Sequence, residues 1–239
     1  MASGITCEAN ISLMWEGEGL CQRVVSIKTT LIWISAYFII CGVIPVLLNE
    51  ILWKTMKNGI SAWLNLFTLI ALNSIFIFVL NTRYQLKVRI FRNVSLSGIL
   101  QALSTVILFY LLLDKLFDPI FDRVFVASAE EYIRAITQLK QFPVVNFIRV
   151  CLLAPVVEEI LIRGYILNSL QEKYGVTNAL LLSSLYFALL HFNFVQTLSA
   201  MICGLVLGLL YIKTGTLASC ILSHSLYNTI SYLAILEKL

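Results

Sequence analysis

Glu158 and Glu159, followed four residues later by Arg163, stand inside an otherwise aliphatic run from Ala154 to Gly164. A run of that kind suits a membrane helix, where each ionisable side chain near the centre costs at least about 2.5 kcal/mol to insert. Three such groups on one helix require partners or a watery cavity. Glu159 and Arg163 share a helical face, with the acid N-terminal to the cation, the better orientation for an ion pair. Glu158 is turned about 100° away and faces a different neighbour. The sequence contains 2 histidines, His191 and His224. Phe187 precedes the first by one helical turn, and Asn228 follows the second by one turn, so each pair shares a face. Peptide-bond hydrolysis requires an activated water, a proton donor for the leaving amine and donors for the tetrahedral oxyanion. A carboxylate, two imidazoles and an amide supply that set.

The elements that must position these groups follow from composition. Of 239 residues, 59% are hydrophobic and only 13% charged, too little charge to coat a globule in water. The sequence therefore predicts an integral, multi-pass membrane protein. Its net charge of +4 is modest and forms no basic stripe, so nucleic acid is not an expected partner. A helix crossing about 30 Å of hydrocarbon needs about 20 largely apolar residues. Seven runs qualify, near Thr29–Leu48, Ile60–Leu80, Val94–Leu113, Val145–Leu170, Asn178–Phe194, Thr197–Ile212 and Thr216–Leu236. The fold class expected is thus all-α, a polytopic membrane protein of about seven transmembrane helices.

Arg83, Lys87, Arg89 and Arg92 crowd the connection after the second run without an acidic residue, which places that loop, and with it the N-terminus, in the cytoplasm. The segment 114–143 mixes both signs of charge. A short interfacial helix is expected there, with Phe117, Ile120, Phe121, Val124 and Phe125 dipping into lipid. The first three runs carry no Asp, Glu or His well inside them and read as lipid-facing scaffold. From Val145 onward the runs become polar. Measured from the ends at Leu170, Asn178 and Thr216, which face one side, Glu158 lies about 18 Å deep, His191 about 20 Å and His224 about 12 Å. The three can meet.

The residues resemble a known family at this point: the type II CAAX prenyl endopeptidases and their bacterial relatives, the CPBP or Abi intramembrane proteases. The likeness rests on E-E-x-x-x-R from Glu158 to Arg163, F-x-x-x-H from Phe187 to His191, and H-x-x-x-N from His224 to Asn228. It divides the chain into 1–144, a tail with three spans and an interfacial connection, and 145–239, a four-helix protease core. The resemblance implies an intramembrane endopeptidase in which Glu158, with His191, activates water while His224 and Asn228 stabilise the oxyanion. Glu159 and Arg163 then form a structural ion pair, and the choice between the two glutamates rests on the family motif. The partners implied are the lipid bilayer and a membrane-associated peptide or protein, prenylated or not.

Other readings compete. One glutamate and two histidines could hold zinc with an open water position, but there is no H-E-x-x-H, and the resemblance favours a mechanism without cofactor or metal. A transporter or peptide-immunity protein could use the same groups as a proton or ion pathway, yet no repeated halves are visible. The six cysteines follow no metal or disulfide spacing, and those in apolar runs read as packing. Gly204-x-x-x-Gly208 reads as a helix-packing surface. Ser223 beside His224 points about 100° away, which argues against a serine–histidine pair.

Overall fold

The computed structural model describes residues 25–53, 55–56, 59–84, 90–91 and 94–237, and every element among them is a helix. The helices are α1, Ile27–Trp53; α2, Ile60–Tyr84; α3, Leu96–Val124; α4, Val126–Gln138; α5, residues 143–174; α6, Val176–Leu189; α7, Phe194–Thr214; and α8, Leu217–Glu237. The protein is an all-α polytopic membrane protein. Capping residues set several boundaries. Ser26, Ser95 and Asn193 each accept a hydrogen bond from the backbone N–H three residues on, at the starts of α1, α3 and α7, satisfying donors a helix N-terminus leaves free. Gly215 ends α7 in the left-handed conformation at φ 65°, where a Cβ would be strained.

Four helices, α1, α2, α3 and α7, are long and apolar enough to cross a membrane. The expected seven runs need correction at three places. The fifth is a helix of only 14 residues, α6, ending at Leu189 rather than Phe194; at about 21 Å it does not reach across the hydrocarbon. The third run does not stop at Leu113, because α3 continues to Val124 and carries Phe117, Ile120 and Phe121 on the same helix. The separate helix of the connection is α4, further along the chain. The fourth and seventh runs, α5 and α8, are long helices disqualified as apolar spans by the polar residues that interest us: Arg149, Glu158, Glu159 and Arg163 on one, His224 and Asn228 on the other. Lys87, Arg89 and Arg92, and with them the basis for the cytoplasmic N-terminus, lie outside the described residues, as do Cys7 and Cys21.

Helix α5 is the axis of the molecule. Residues 160–167 are all buried. One side of α5 packs with Phe76 and Leu80 of α2, Cys41 of α1, and Phe187 of α6 in a single apolar cluster. A second cluster joins α3, α7 and α8 around Phe109, Leu113, Leu207, Leu210 and Cys220. Helices α6 and α7 approach closely because Gly204 and Gly208 present no side chain: a Cβ on Gly204 would stand 3.0 Å from the Ser184 backbone. Two hydrogen bonds tie α3 into the same half, Ser199 Oγ to Asp118 at 2.5 Å and Tyr227 Oη to Asp114 at 3.2 Å. In contrast, α1, α2 and α3 expose Ile32, Ile51, Phe67, Phe78, Leu96 and Ile107, a surface suited to lipid.

Candidate active site

The middle of α5 winds unevenly. Ala154–Glu159 is regular helix, while Ile148–Leu153 before it and Ile160–Leu167 after it are wound more widely, with i→i+5 hydrogen bonding. Pro155 lies at the junction and brings no N–H to the ladder. Both glutamates and Arg163 sit here.

Arg163 and Glu159 are fully buried. Arg163 Nη1 donates to Glu159 Oε1 at 2.9 Å, and Nη2 donates to the Gly204 carbonyl oxygen at 2.9 Å. Its guanidinium also lies 4.9 Å from the centre of the Phe187 ring, a favourable cation–π arrangement. The packing glycine therefore has a second effect, since only a close α7 brings a backbone oxygen within reach of the arginine.

Glu159 does more than pair with Arg163. Its Oε1 is also 3.0 Å from Nδ1 of His224 on α8. An ionised carboxylate only accepts, so Nδ1 of His224 carries the proton in that bond and Nε2 is the nitrogen left to face elsewhere. Nε2 faces Glu158: the distance to Oε2 is 3.9 Å. That is too long for a direct hydrogen bond, but one water can lie about 2.8 Å from both atoms. Glu158 keeps 18% side-chain exposure against none for Glu159. The adjacent carboxylates are therefore divided, one sealed between Arg163 and His224, the other open. With both ionised and one arginine present, this cluster carries a net negative charge unless His224 takes a proton.

His191 lies just past the end of α6, in the 190–193 connection, and not on a helical face as its spacing from Phe187 predicts. It still reaches the cluster, because its ring packs edge-on against Phe187 with centroids 5.2 Å apart. The same phenyl ring meets His224 at 5.7 Å, so Phe187 touches both imidazoles and the guanidinium. His191 Nδ1 is 3.1 Å from the Phe187 carbonyl oxygen, an acceptor, which leaves Nε2 of this ring free as well. The connection is held from outside: Asn193 Nδ2 donates to Ser128 O at 2.7 Å and Val195 N–H donates to Ser128 Oγ at 3.1 Å. Thr197 Oγ1 donates to the His191 carbonyl oxygen at 2.8 Å. Asn228 Nδ2 donates to the Val150 carbonyl oxygen at 3.0 Å, joining α8 to the wide stretch of α5.

Spacing on α5 predicts the Glu159–Arg163 pair, but nothing in the spacing indicated that the same carboxylate grips His224. Ser223 is buried with no partner for its hydroxyl. Among the described residues no three of His, Cys, Asp and Glu are grouped as a metal site.

A buried acid–imidazole cluster thus sits among the helices of an all-α membrane scaffold. Residues 140–230 match the family model described as type II CAAX prenyl endopeptidase Rce1-like, so this part of the chain is similar to a family of membrane proteases. The matched segment contains Glu158, Glu159, Arg163, Phe187, His191, His224 and Asn228. No curated protein and no solved structure matches the chain.

Proposed function

We propose that the protein is an intramembrane endopeptidase in which Glu158 activates a water molecule for attack on a peptide bond. The observation that carries this reading is the 3.9 Å gap between Glu158 Oε2 and His224 Nε2, with the imidazole locked from behind by Glu159. Glu158 takes the proton of the attacking water and returns it to the leaving amine. His224, protonated at Nδ1 through Glu159, and His191 offer their Nε2 atoms to the reaction, as proton carriers or, when protonated, as donors to the oxyanion. One N–H of Asn228 is engaged with Val150, so its contribution to the oxyanion comes from the second amide proton. This scheme requires no metal. Substrates are membrane-associated peptides or proteins whose backbone can enter between α5, α6 and α8.

The test is a comparison of peptide fragments in membranes holding the parent protein, Glu158→Gln or His191→Ala. Fragments present with the parent and lost with both variants, at equal protein levels, support the reading. Undiminished turnover in both variants rejects it.

A further inference from the structure

Helix α4 lies across one end of the bundle. At its start, Ser128 accepts hydrogen bonds from Asn193 Nδ2 and the Val195 N–H, and the Phe125 ring packs edge-on against Phe194 with centroids 4.8 Å apart. Just past its end, the Leu139 carbonyl oxygen accepts from Tyr232 Oη of α8 at 3.2 Å and from Asn146 Nδ2 of α5 at 2.8 Å. Helix α7 has 21 residues, about 31 Å of rise, which matches the hydrocarbon thickness. The start of α7, and the helix tied to it, therefore stand at a bilayer surface. Along α4, Val126 and Ile133 are seven positions apart and share a face; they are 54% and 56% exposed. Arg134 and Glu131, also exposed, lie about 80° and 140° round the axis from Val126, and Arg134 pairs with Glu130 at 3.7 Å. A helix divided in this way lies in the plane of a membrane surface with its apolar side toward the acyl chains.

We propose that α4 is seated on the phospholipid bilayer and holds the His191 connection in register through Ser128, a positioning residue for the reaction. The proposal rests on the proteolytic reading above. Lipid is the occupant of the uncovered face because a single residue, Phe125, joins α4 to the membrane-spanning α3, whose last turns expose Ile120 and Val124. With Glu130 and Glu131 against Arg134, the helix has no cationic face to draw it to anionic headgroups, so burial of apolar side chains holds it down. The link to the candidate site is short. His191 follows the last residue of α6 by two positions and precedes the Asn193 cap of α7 by two, and its carbonyl oxygen accepts from Thr197 Oγ1 at 2.8 Å. The backbone that Ser128 grips at 193 and 195 therefore sets where the imidazole stands. Lifting α4 from the lipid pulls on both bonds at Ser128 and frees that backbone, and a misplacement of about 1 Å in a reacting group costs up to about a hundredfold in rate.

The experiment uses the full-length protein in phosphatidylcholine discs. Trifluoromethyl-phenylalanine placed at position 133 or 131 reports, through its fluorine signal, contact with a doxyl-labelled lipid or with a gadolinium chelate in water. Amide hydrogen exchange over 190–197, with the buried 160–167 as control, and kcat and KM on palmitoylated apolar decapeptides are measured for the parent, Ser128→Ala, Ser128→Thr and Ile133→Asp. The expected result is broadening by the lipid label at 133 and by the chelate at 131. Exchange over 190–197 rises about tenfold in Ser128→Ala and Ile133→Asp, while 160–167 stays parental. In the same two variants kcat falls about tenfold or more with KM within about twofold, and Ser128→Thr, which keeps the hydroxyl, restores both readouts. Broadening at 133 by the chelate alone, or shielding from both reagents as against a protein neighbour, overturns the lipid seat. Parental exchange or parental kcat in Ser128→Ala, or an equal rise over 160–167, overturns the positioning role. Lipid contact and a loosened connection, with no peptide cleaved by the parent, support the clamp and defeat the proteolytic reading.

Discussion

The two adjacent glutamates should separate stability from activity, and Glu159→Gln against Glu158→Gln is the sharpest comparison. Glu159 has no exposure and is held at 2.9 Å by Arg163 and at 3.0 Å by His224. Replacing it by glutamine preserves shape but removes the negative charge that compensates the buried Arg163 guanidinium, whose other neighbours are the Gly204 carbonyl oxygen and the Phe187 ring. Removing one member of a buried pair costs about 3–5 kcal/mol. That corresponds to a fall in apparent Tm on the order of 10 °C for a chain of this size. Activity falls with it, because a glutamine can present its NH2 to Nδ1 and favour the wrong tautomer of His224. Glu158 is 18% exposed and stands 3.9 Å from His224 Nε2, so Glu158→Gln should abolish turnover while moving Tm by only a degree or two. Thermal unfolding in detergent and peptide turnover in lipid discs, on the same preparations, give both readouts. Equal Tm losses for the two variants, or a parental Tm for Glu159→Gln, would refute the division of labour.

Gly204→Val should lower stability by several kcal/mol, since a Cβ added there would stand 3.0 Å from the Ser184 backbone; a parental melting curve would contradict the close α6–α7 approach. Asn193→Ala removes the cap of α7 and the link to Ser128, costing about 1 kcal/mol and lowering turnover more than Tm because His191 loses its support; unchanged turnover would show that the connection needs no clamp. Treatment of purified protein with a strong chelator should leave turnover intact, and loss restored by zinc would overturn the metal-free scheme.

Hydropathy made α1, α2, α3 and α7 legible because no Asp, Glu, Lys, Arg or His falls within residues 29–48, 60–80, 96–113 or 197–212. It also marked α5 and α8 through their anomalies, since Glu158, Glu159, Arg163 and His224 stand out against aliphatic neighbours. The end of α6 was misread because Leu190, Phe192 and Phe194 extend the apolar run across a real break in the helix. Asn193 was the available signal: a side chain suited to capping, immediately before a new apolar run. The extension of α3 through Phe117 and Phe121 was hidden by the acidic residues among them, which read as a connection until Ser199 and Tyr227 from other helices are seen to engage Asp118 and Asp114. The grip of Glu159 on His224 depends on how α8 is rotated against α5, 65 positions away, and no local spacing encodes that.

The central claim is that Glu158 and His224 share one water. A structure of the protein in lipid at a resolution that shows waters tests it most directly. The account predicts a single ordered water within about 3.2 Å of both the Glu158 carboxylate and His224 Nε2, absent or displaced in Glu158→Leu. A dry contact between the two side chains, or waters that touch only one of them, would contradict it.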